Sequence, residues 1–287
     1  MTASTASSRP GGPAYRAPSL RVTVDGREAY AYTGGKAFDP CLPTVCFVHG
    51  AQNDHSVWIL QSRYLAHHGY GVLAWDLPGH GRSAGPPLAD IAAMADWVLR
   101  ACAATGATQP VIVGHSMGSL IALEAAGSQP DRVRAIALVG TAFPMKVSDA
   151  LLEAARTDEA RSFDMINQWS FSGITHRPGN PGPGFSVFNQ TRRLMERQAP
   201  GVLLNDFQAC NRYVDGLTRA ASVSCPSLFV MGESDQMTPP RAARALQQAL
   251  PASRAVRVPR CGHSVMQEHP EALLVALRDF LASLSTR

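Results

Sequence analysis

Three side chains have the types and the chain order that nucleophilic attack on a carbonyl group requires: Ser116, Asp235 and His263. A serine hydroxyl is a weak nucleophile, so it needs a base that removes its proton and a third group that orients the base. Ser116 is the central residue of Gly114-His115-Ser116-Met117-Gly118, which matches the G-x-S-x-G pattern of a nucleophile elbow. We predict Ser116 as the nucleophile, His263 as the general base and Asp235 as the orienting acid.

The residues around Ser116 predict a sharp strand-to-helix turn. The β-branched run Val111–His115 is typical of a buried strand, and the following residues, Ser119–Ala126, are compatible with a helix. The flanking glycines allow a close approach of the two backbones, and the start of a helix favours developing negative charge. The alternative interpretation is a tight turn that carries an ordinary surface serine.

Asp235 and His263 each follow a predicted strand, Ser227–Met231 and Arg254–Val258 respectively. Because parallel strands end at the same edge of a sheet, the two side chains are expected near Ser116. The order Ser, Asp, His is the one found on folds with this turn.

Other residues remain rivals for the acid. Glu233 is the nearest, and Asp149 is a more distant one. Asp235 could also be an Asx-turn residue ahead of Thr238-Pro239.

An oxyanion hole needs backbone amides that point at the developing negative charge. We predict the amide of Met117, directly after the nucleophile, as one donor. The second donor is expected from the loop after the strand Thr44–His49, with Ala51 preferred and Gln52 as the alternative. His49 is interpreted as structural, with a ring that bonds backbone groups and shapes this loop.

Strand-like and helix-like segments alternate along the chain, which predicts an α/β fold with a mostly parallel sheet and helices on both faces. Further strands are predicted at Gly71–Trp75 and Ala135–Gly140, after a hairpin near the start. The strand pattern is interrupted between about residues 143 and 217, where helical stretches suggest an inserted cap. We predict a disordered tail at 1–18, a core at 19–142 and 218–287, and a helical cap at 143–217.

Apolar residues in and near the cap could line a substrate pocket. Phe143, Trp169 and Met237 are our candidates for substrate contact. The alternative is that such residues only pack the cap on the core. Acidic and basic residues balance in the cap, so no charged substrate is predicted.

Composition indicates a globular protein with a sizeable core and argues against several other classes. The 287 residues are 45% apolar and 17% charged, with a formal net charge of +4 and no Lys/Arg run that would indicate nucleic-acid binding. The six cysteines lack zinc-ligand spacing and are interpreted as mostly buried thiols in a reducing compartment. We find no secretory signal and no apolar run of membrane-spanning length. We therefore expect a cytoplasmic monomer or small homo-oligomer that needs no metal or organic cofactor.

Taken together, the motifs resemble the α/β-hydrolase superfamily. They are His49-Gly50, Asp76-Leu-Pro-Gly-His-Gly-Arg-Ser83, Gly114-His-Ser-Met-Gly118, Gly232-Glu-Ser-Asp235 and Gly262-His263. The resemblance implies an eight-stranded sheet, the triad Ser116, Asp235 and His263, and a helical lid. It is strongest to the branch of small esterases, lactonases, carbon–carbon bond hydrolases and cofactor-free haloperoxidases. The serine nucleophile disfavours epoxide hydrolases and haloalkane dehalogenases of this fold, which carry an aspartate there.

The expected activity is hydrolysis of a carboxylic ester or lactone of a small, largely uncharged substrate through an acyl-enzyme. A carbon–carbon bond hydrolase or a haloperoxidase-like perhydrolase with the same triad is a second hypothesis. A ligand-binding receptor on the same fold is a third, from a different functional class.

Overall fold

The computed structural model describes residues 18–173, 175, 186–250 and 252–284. The predicted tail, 1–18, lies outside the described residues except for its last residue. All six cysteines are free thiols, and four of them are buried, as expected. Within the described residues, no helix combines the length and the apolar character needed to cross a membrane.

A single sheet of eight strands forms the centre of the molecule. In spatial order the strands run β1-β2-β4-β3-β5-β6-β7-β8. The pairs β1–β2 and β2–β4 are antiparallel, and the remaining neighbouring pairs are parallel. The strands are β1 (Ser19–Val24), β2 (Arg27–Tyr32), β3 (Thr44–Val48), β4 (Gly71–Trp75), β5 (Val111–His115), β6 (Ala135–Val139), β7 (Ser227–Gly232) and β8 (Ser253–Val258). The predicted mostly parallel α/β architecture is confirmed.

Helices connect the strands and cover both faces of the sheet. They are α1 (Ile59–Ala66), α2 (Ile91–Ala104), α3 (Met117–Ser128), α4 (Asp149–Thr157), α5 (Glu159–Ser170), α6 (Val187–Glu196), α7 (Val202–Arg212), α8 (Gly216–Ser222), α9 (Arg244–Ala249), α10 (Val265–Glu268) and α11 (Pro270–Leu284). Short 3₁₀ turns precede α1, β6 and α9.

The core forms two apolar layers because alternate side chains of a strand point to opposite faces. Cys46 and Val48 of β3 pack into the layer beneath α2, α3 and α9. Val45 and Phe47 of the same strand pack into the layer beneath α1 and α11. All five residues of β3 are buried, as expected for a parallel strand that is covered on both faces.

Helices α4 to α7 lie between β6 and β7 in the chain and share an apolar cluster of their own. Leu151, Phe163 and Phe207 are among its buried members. By contrast, α8 packs on α3 and buries Ala220 in the sheet layer. The predicted boundary after residue 217 therefore falls inside α8, which begins at Gly216.

Candidate active site

Ser116 lies at the turn between β5 and α3, in the strained conformation φ 53°, ψ −118°. Its amide donates to the carbonyl of Val139 at 2.9 Å, and its side chain does not cap α3. The flanking glycines are required by space: a Cβ at Gly114 would lie 2.0 Å from the Gly118 carbonyl oxygen, and one at Gly118 would lie 2.4 Å from that of Val48. The turn thus presents the Ser116 hydroxyl at the carboxyl edge of the sheet and the start of a helix.

His263 and Asp235 are in direct contact beyond the ends of β8 and β7. His263 Nδ1 lies 2.8 Å from Asp235 Oδ2. Because a carboxylate only accepts, Nδ1 carries the proton and Nε2 remains an acceptor for a serine proton. Burial alone would raise the pKa of Asp235, but the charge of His263 and hydrogen bonds from His263 and Thr238 hold that pKa below its ordinary value.

Thr238 completes the surroundings of Asp235. Its hydroxyl donates to Asp235 Oδ2 at 2.7 Å, and its amide donates to Asp235 Oδ1 at 2.7 Å. The same hydroxyl lies 3.0 Å from His263 Nδ1. Both carboxylate oxygens are therefore held by donors, which keeps the acid charged and immobile.

The loop that carries His263 is held from two sides. The backbone amide of His263 donates to the carbonyl of Ser170, the last residue of α5, at 2.7 Å. On the other side, His115 Nε2 donates to the His263 carbonyl oxygen at 3.1 Å. Burial, together with the charge of His263, lowers the pKa of His115 to about 3, so His115 supports the His263 loop as a neutral ring.

The loop after β3 passes directly against Ser116. A Cβ at Gly50 would lie 3.0 Å from His115 Nδ1 and 3.2 Å from Ser116 Cβ, so glycine lets the loop approach this closely without displacing either residue. Ala51 lines both of the cavities that Ser116 lines. The amide of Gln52 is occupied, because it donates to Asp206 Oδ2 at 3.0 Å. The alternative oxyanion donor thus has another partner, and Ala51 remains our proposed donor together with Met117.

His49 shapes this loop through its ring, as expected. The amide of Leu77 donates to His49 Nε2 at 3.1 Å, so Nδ1 carries the proton and donates to the Gly50 carbonyl at 2.8 Å. Burial, with a further contribution from His80, lowers the pKa of His49 to about 4. His49 is therefore a neutral structural ring.

A buried ion pair joins the α4–α7 insertion to the core beside the oxyanion loop. His80 Nε2 lies 2.9 Å from Asp206 Oδ2, and both side chains are inaccessible to solvent. His80 Nδ1 donates to the Pro78 carbonyl at 3.0 Å. Both ring nitrogens face oxygens. Burial lowers the pKa of His80, but the charge and hydrogen bond of Asp206, with the Pro78 carbonyl and the charge of Asp76, together raise that pKa above its ordinary value. The same Asp206 oxygen, Oδ2, thus accepts from both the cationic His80 ring and the Gln52 amide.

Two cavities meet at Ser116. The larger has about 300 Å³ and is lined by Trp169 and Met237, two of the three predicted substrate contacts. The smaller has about 40 Å³ and is lined by His263 and, again, Met237. Phe143, the third candidate, lines neither cavity in the described part of the chain. Its ring packs edge-on against Tyr213, with centroids 6.0 Å apart, and over Gly216.

One cluster of potential metal ligands occurs among the described residues: Asp54, His55 and Asp76. Its carboxylates already accept hydrogen bonds, Asp54 from the amide and hydroxyl of Ser56 and Asp76 from the amides of His55 and Arg82. The chemistry of this set is therefore that of a hydrogen-bonded network that ties the two loops together.

The sequence matches the profile of the α/β hydrolase fold over residues 43–270. The chain belongs to this family. The resemblance to α/β hydrolases, the predicted fold class and the expectation of an α/β-hydrolase enzyme are confirmed.

Individual relatives support the same assignment. The chain is 29% identical, over 85% of its own length and 93% of the relative's, to a Klebsiella pneumoniae protein whose name proposes it as a carbamate hydrolase. It is 30% identical, over 86% of its length and 79% of the relative's, to a pimeloyl-[acyl-carrier protein] methyl ester esterase of Neisseria meningitidis. The structure of an enol-lactonase from Burkholderia xenovorans superposes with a TM-score of 0.81 at 22% identity, covering 92% of this chain and all of that one.

Sequence reasoning missed three residues that hold the predicted catalytic groups in place. Thr238, Asp206 and His115 each contact a catalytic group or its loop, yet none was assigned that role. Thr238 had a local signal, because Asp-x-x-Thr is a pattern in which the side chain of the first residue bonds the backbone of the fourth. Asp206 had no local signal, because its partner His80 lies 126 residues earlier in the chain.

Proposed function

We propose that this protein is a serine hydrolase that cleaves a carboxylic ester or lactone through an acyl-enzyme on Ser116. The observation that carries the proposal is the 2.8 Å contact between His263 Nδ1 and Asp235 Oδ2 beside the small cavity that Ser116 and His263 both line. This arrangement leaves His263 Nε2 as the acceptor for the serine proton.

The reaction follows from the positions of these groups. His263 takes the proton of Ser116 while Oγ attacks the carbonyl carbon, and the amides of Ala51 and Met117 stabilise the oxyanion. His263 then gives the proton to the leaving oxygen. A water that His263 deprotonates attacks the acyl-enzyme, the acid is released, and Ser116 regains its proton. Asp235 stays ionised and holds the charged imidazole.

The relatives favour a bond between a carbonyl carbon and a heteroatom. Esters and carbamates, the substrate classes in the two relatives' names, both contain such a bond. This supports ester or lactone hydrolysis above carbon–carbon cleavage and above binding without turnover. The balanced charge of the cap also suits an uncharged small molecule.

The test combines turnover with covalent labelling. Wild type and Ser116→Ala are assayed by pH-stat on methyl esters from acetate to decanoate, on a lactone and on a vinylogous diketone. A fluorophosphonate probe, which loses fluoride as the serine oxygen bonds phosphorus, is followed by peptide mass mapping. Ser128→Ala is the matched control, because that serine ends the helix that begins directly after Ser116 and its hydroxyl donates to the Glu124 carbonyl.

We expect ester or lactone turnover and labelling at Ser116 in wild type and in Ser128→Ala. In Ser116→Ala, turnover should fall by roughly 10⁴-fold or more. Undiminished turnover in Ser116→Ala would overturn the mechanism. Turnover of the diketone alone would replace ester hydrolysis with carbon–carbon cleavage.

A further inference from the structure

The two cavities that meet at Ser116 differ strongly in size. The acyl side and the leaving side of an ester both extend from the carbon that Ser116 attacks, so each cavity must take one of them. One cavity has about 300 Å³ and the other about 40 Å³. Both are bounded by Ala51, Phe207 and Met237, which therefore lie where the two halves of a substrate would diverge.

The position of His263 decides which cavity takes the leaving alcohol and which takes the acyl group. The leaving oxygen must come within hydrogen-bond reach of the group that protonates it. His263 and the adjacent Ser264 line the small cavity, and neither is among the residues that line the large one. The leaving alcohol therefore belongs in the small cavity, and the acyl group belongs in the large one.

Thr191 and Gln267 bound the small cavity. The hydroxyl of Thr191, on α6, lies 3.1 Å from Gln267 Oε1, on α10, and 3.0 Å from the Val187 carbonyl. Beyond Gln267 and Val57 lies a separate surface groove of about 600 Å³. The contact between Thr191 and Gln267 thus forms a wall that stops a long alcohol from extending into this groove.

The large cavity is suited to an apolar acyl group. Its walls include Leu151, Trp169 and Phe207, and Lys146 is the one charged residue among the described residues that line it. The Lys146 ammonium is exposed and donates to the Asn211 carbonyl at 2.9 Å. A volume of about 300 Å³ is at the lower end of the range for small-molecule pockets, roughly 300–1,000 Å³.

We infer that the preferred substrate is an ester of a bulky apolar acid with an alcohol of one or two carbons. This inference rests on the proposed function, since it assigns the two halves of the substrate by the role of His263. A cavity of about 40 Å³ has room for only a few water-sized groups, since one water molecule needs about 10–15 Å³ of such space. After methanol or ethanol departs with the proton from His263, the same cavity can admit the hydrolytic water.

A pair of isomeric esters tests the assignment directly. Methyl octanoate and heptyl acetate have the same composition and similar hydrophobicity, but they place the long chain on opposite sides of the carbonyl. We measure kcat/KM for both with the full chain, by pH-stat below their solubility limits. Wild type should favour methyl octanoate by at least about tenfold, because several methylenes have no place on the leaving side.

Two variants test the wall. Thr191→Ala removes both the hydroxyl and the bulk, so it should raise kcat/KM for heptyl acetate relative to methyl octanoate. Thr191→Val keeps the bulk and should shift this ratio less. Thermal melting of each variant checks that it is folded. A ratio that Thr191→Ala leaves unchanged would overturn the role of this wall.

The outcomes separate the two proposals. Equal rates, or a preference for heptyl acetate, would overturn the assignment of the cavities while leaving the serine hydrolase proposal intact. Labelling of Ser116 by the fluorophosphonate without turnover of either ester would overturn the substrate class alone. Neither labelling nor turnover would overturn both proposals.

Discussion

Asp206 offers the sharpest test of how the cap and the catalytic loops are connected. Its Oδ2 contacts His80 Nε2 at 2.9 Å and accepts the Gln52 amide at 3.0 Å, and no part of its side chain reaches solvent. Asp206→Ala would leave a buried ring and a buried amide without an acceptor. Removing one partner of a buried pair costs about 3–5 kcal/mol, so the free energy of unfolding should fall by that amount.

The substitution Asp206→Asn separates charge from shape. Asparagine keeps one oxygen for the Gln52 amide but removes the negative charge that faces His80. Hydrogen bonds to charged groups contribute about 1.5–3 kcal/mol and neutral ones about 0.5–1.5. The expected loss of stability is therefore about 1–2 kcal/mol, between wild type and Asp206→Ala.

Activity should follow the position of the oxyanion loop. Gln52 adjoins Ala51, so releasing its amide lets the proposed donor move, and a misplacement of about 1 Å can cost on the order of 100-fold in rate. We expect kcat to fall about 100-fold in Asp206→Ala and about tenfold in Asp206→Asn. The assays are urea unfolding followed by circular dichroism, and steady-state hydrolysis of the best ester.

The control is Asp164→Asn, which removes the charge of an exposed cap residue paired with Arg192. It should change the free energy of unfolding by less than about 1 kcal/mol. Wild-type kcat in Asp206→Ala, despite lower stability, would show that Asp206 holds the cap but not the oxyanion loop. A stability loss below about 1 kcal/mol in Asp206→Ala would refute the argument from burial.

Two further predictions concern the neighbours of the triad and of the ion pair. Thr238→Val removes the hydroxyl that bonds Asp235 Oδ2 and should lower kcat about tenfold with little change in KM. Thr238→Ser keeps the hydroxyl and should restore kcat. An unchanged kcat in Thr238→Val would exclude a positioning role for Thr238. His80 has a pKa raised above 6.5 in the folded protein, so its contribution to stability is complete below pH 6.5 and is lost as pH rises through the folded pKa. The difference in melting temperature between wild type and His80→Gln should therefore shrink above pH 6.5, and a constant or growing difference would contradict the charged pair.

The parts of the fold that depend on residues close together in the chain were predictable from the sequence. Strands β4 and β5 have the predicted bounds, Gly71–Trp75 and Val111–His115. An unbroken apolar, β-branched run between turn residues is a local signal, because a strand covered on both faces must be apolar at every position. The same locality explains why Ser116, Asp235 and His263 could be nominated from motifs at the ends of strands.

The lining of the site was less predictable, because it depends on how distant helices dock. Trp169 and Met237 line the large cavity, whereas Phe143 packs on Tyr213. All three are large apolar residues near predicted loops, so composition could not distinguish them. The distinction arises from the space that Gly216 leaves for the Phe143 ring, and this is set by where α8 lies.

We propose that the inserted helices α4 to α7, the predicted cap, help to position the catalytic groups as well as cover the pocket. The Ser170 carbonyl, at the end of α5, receives the amide of His263, and Asp206, on α7, receives the amide of Gln52. The base and the oxyanion loop are thus each bonded to a different helix of the inserted segment. Since a strained Ser116 presents its hydroxyl from the rigid sheet, the groups that must meet it are placed partly by the cap. Movement of the cap away from the core would therefore break bonds to both loops, so a docked cap and an assembled site should form together.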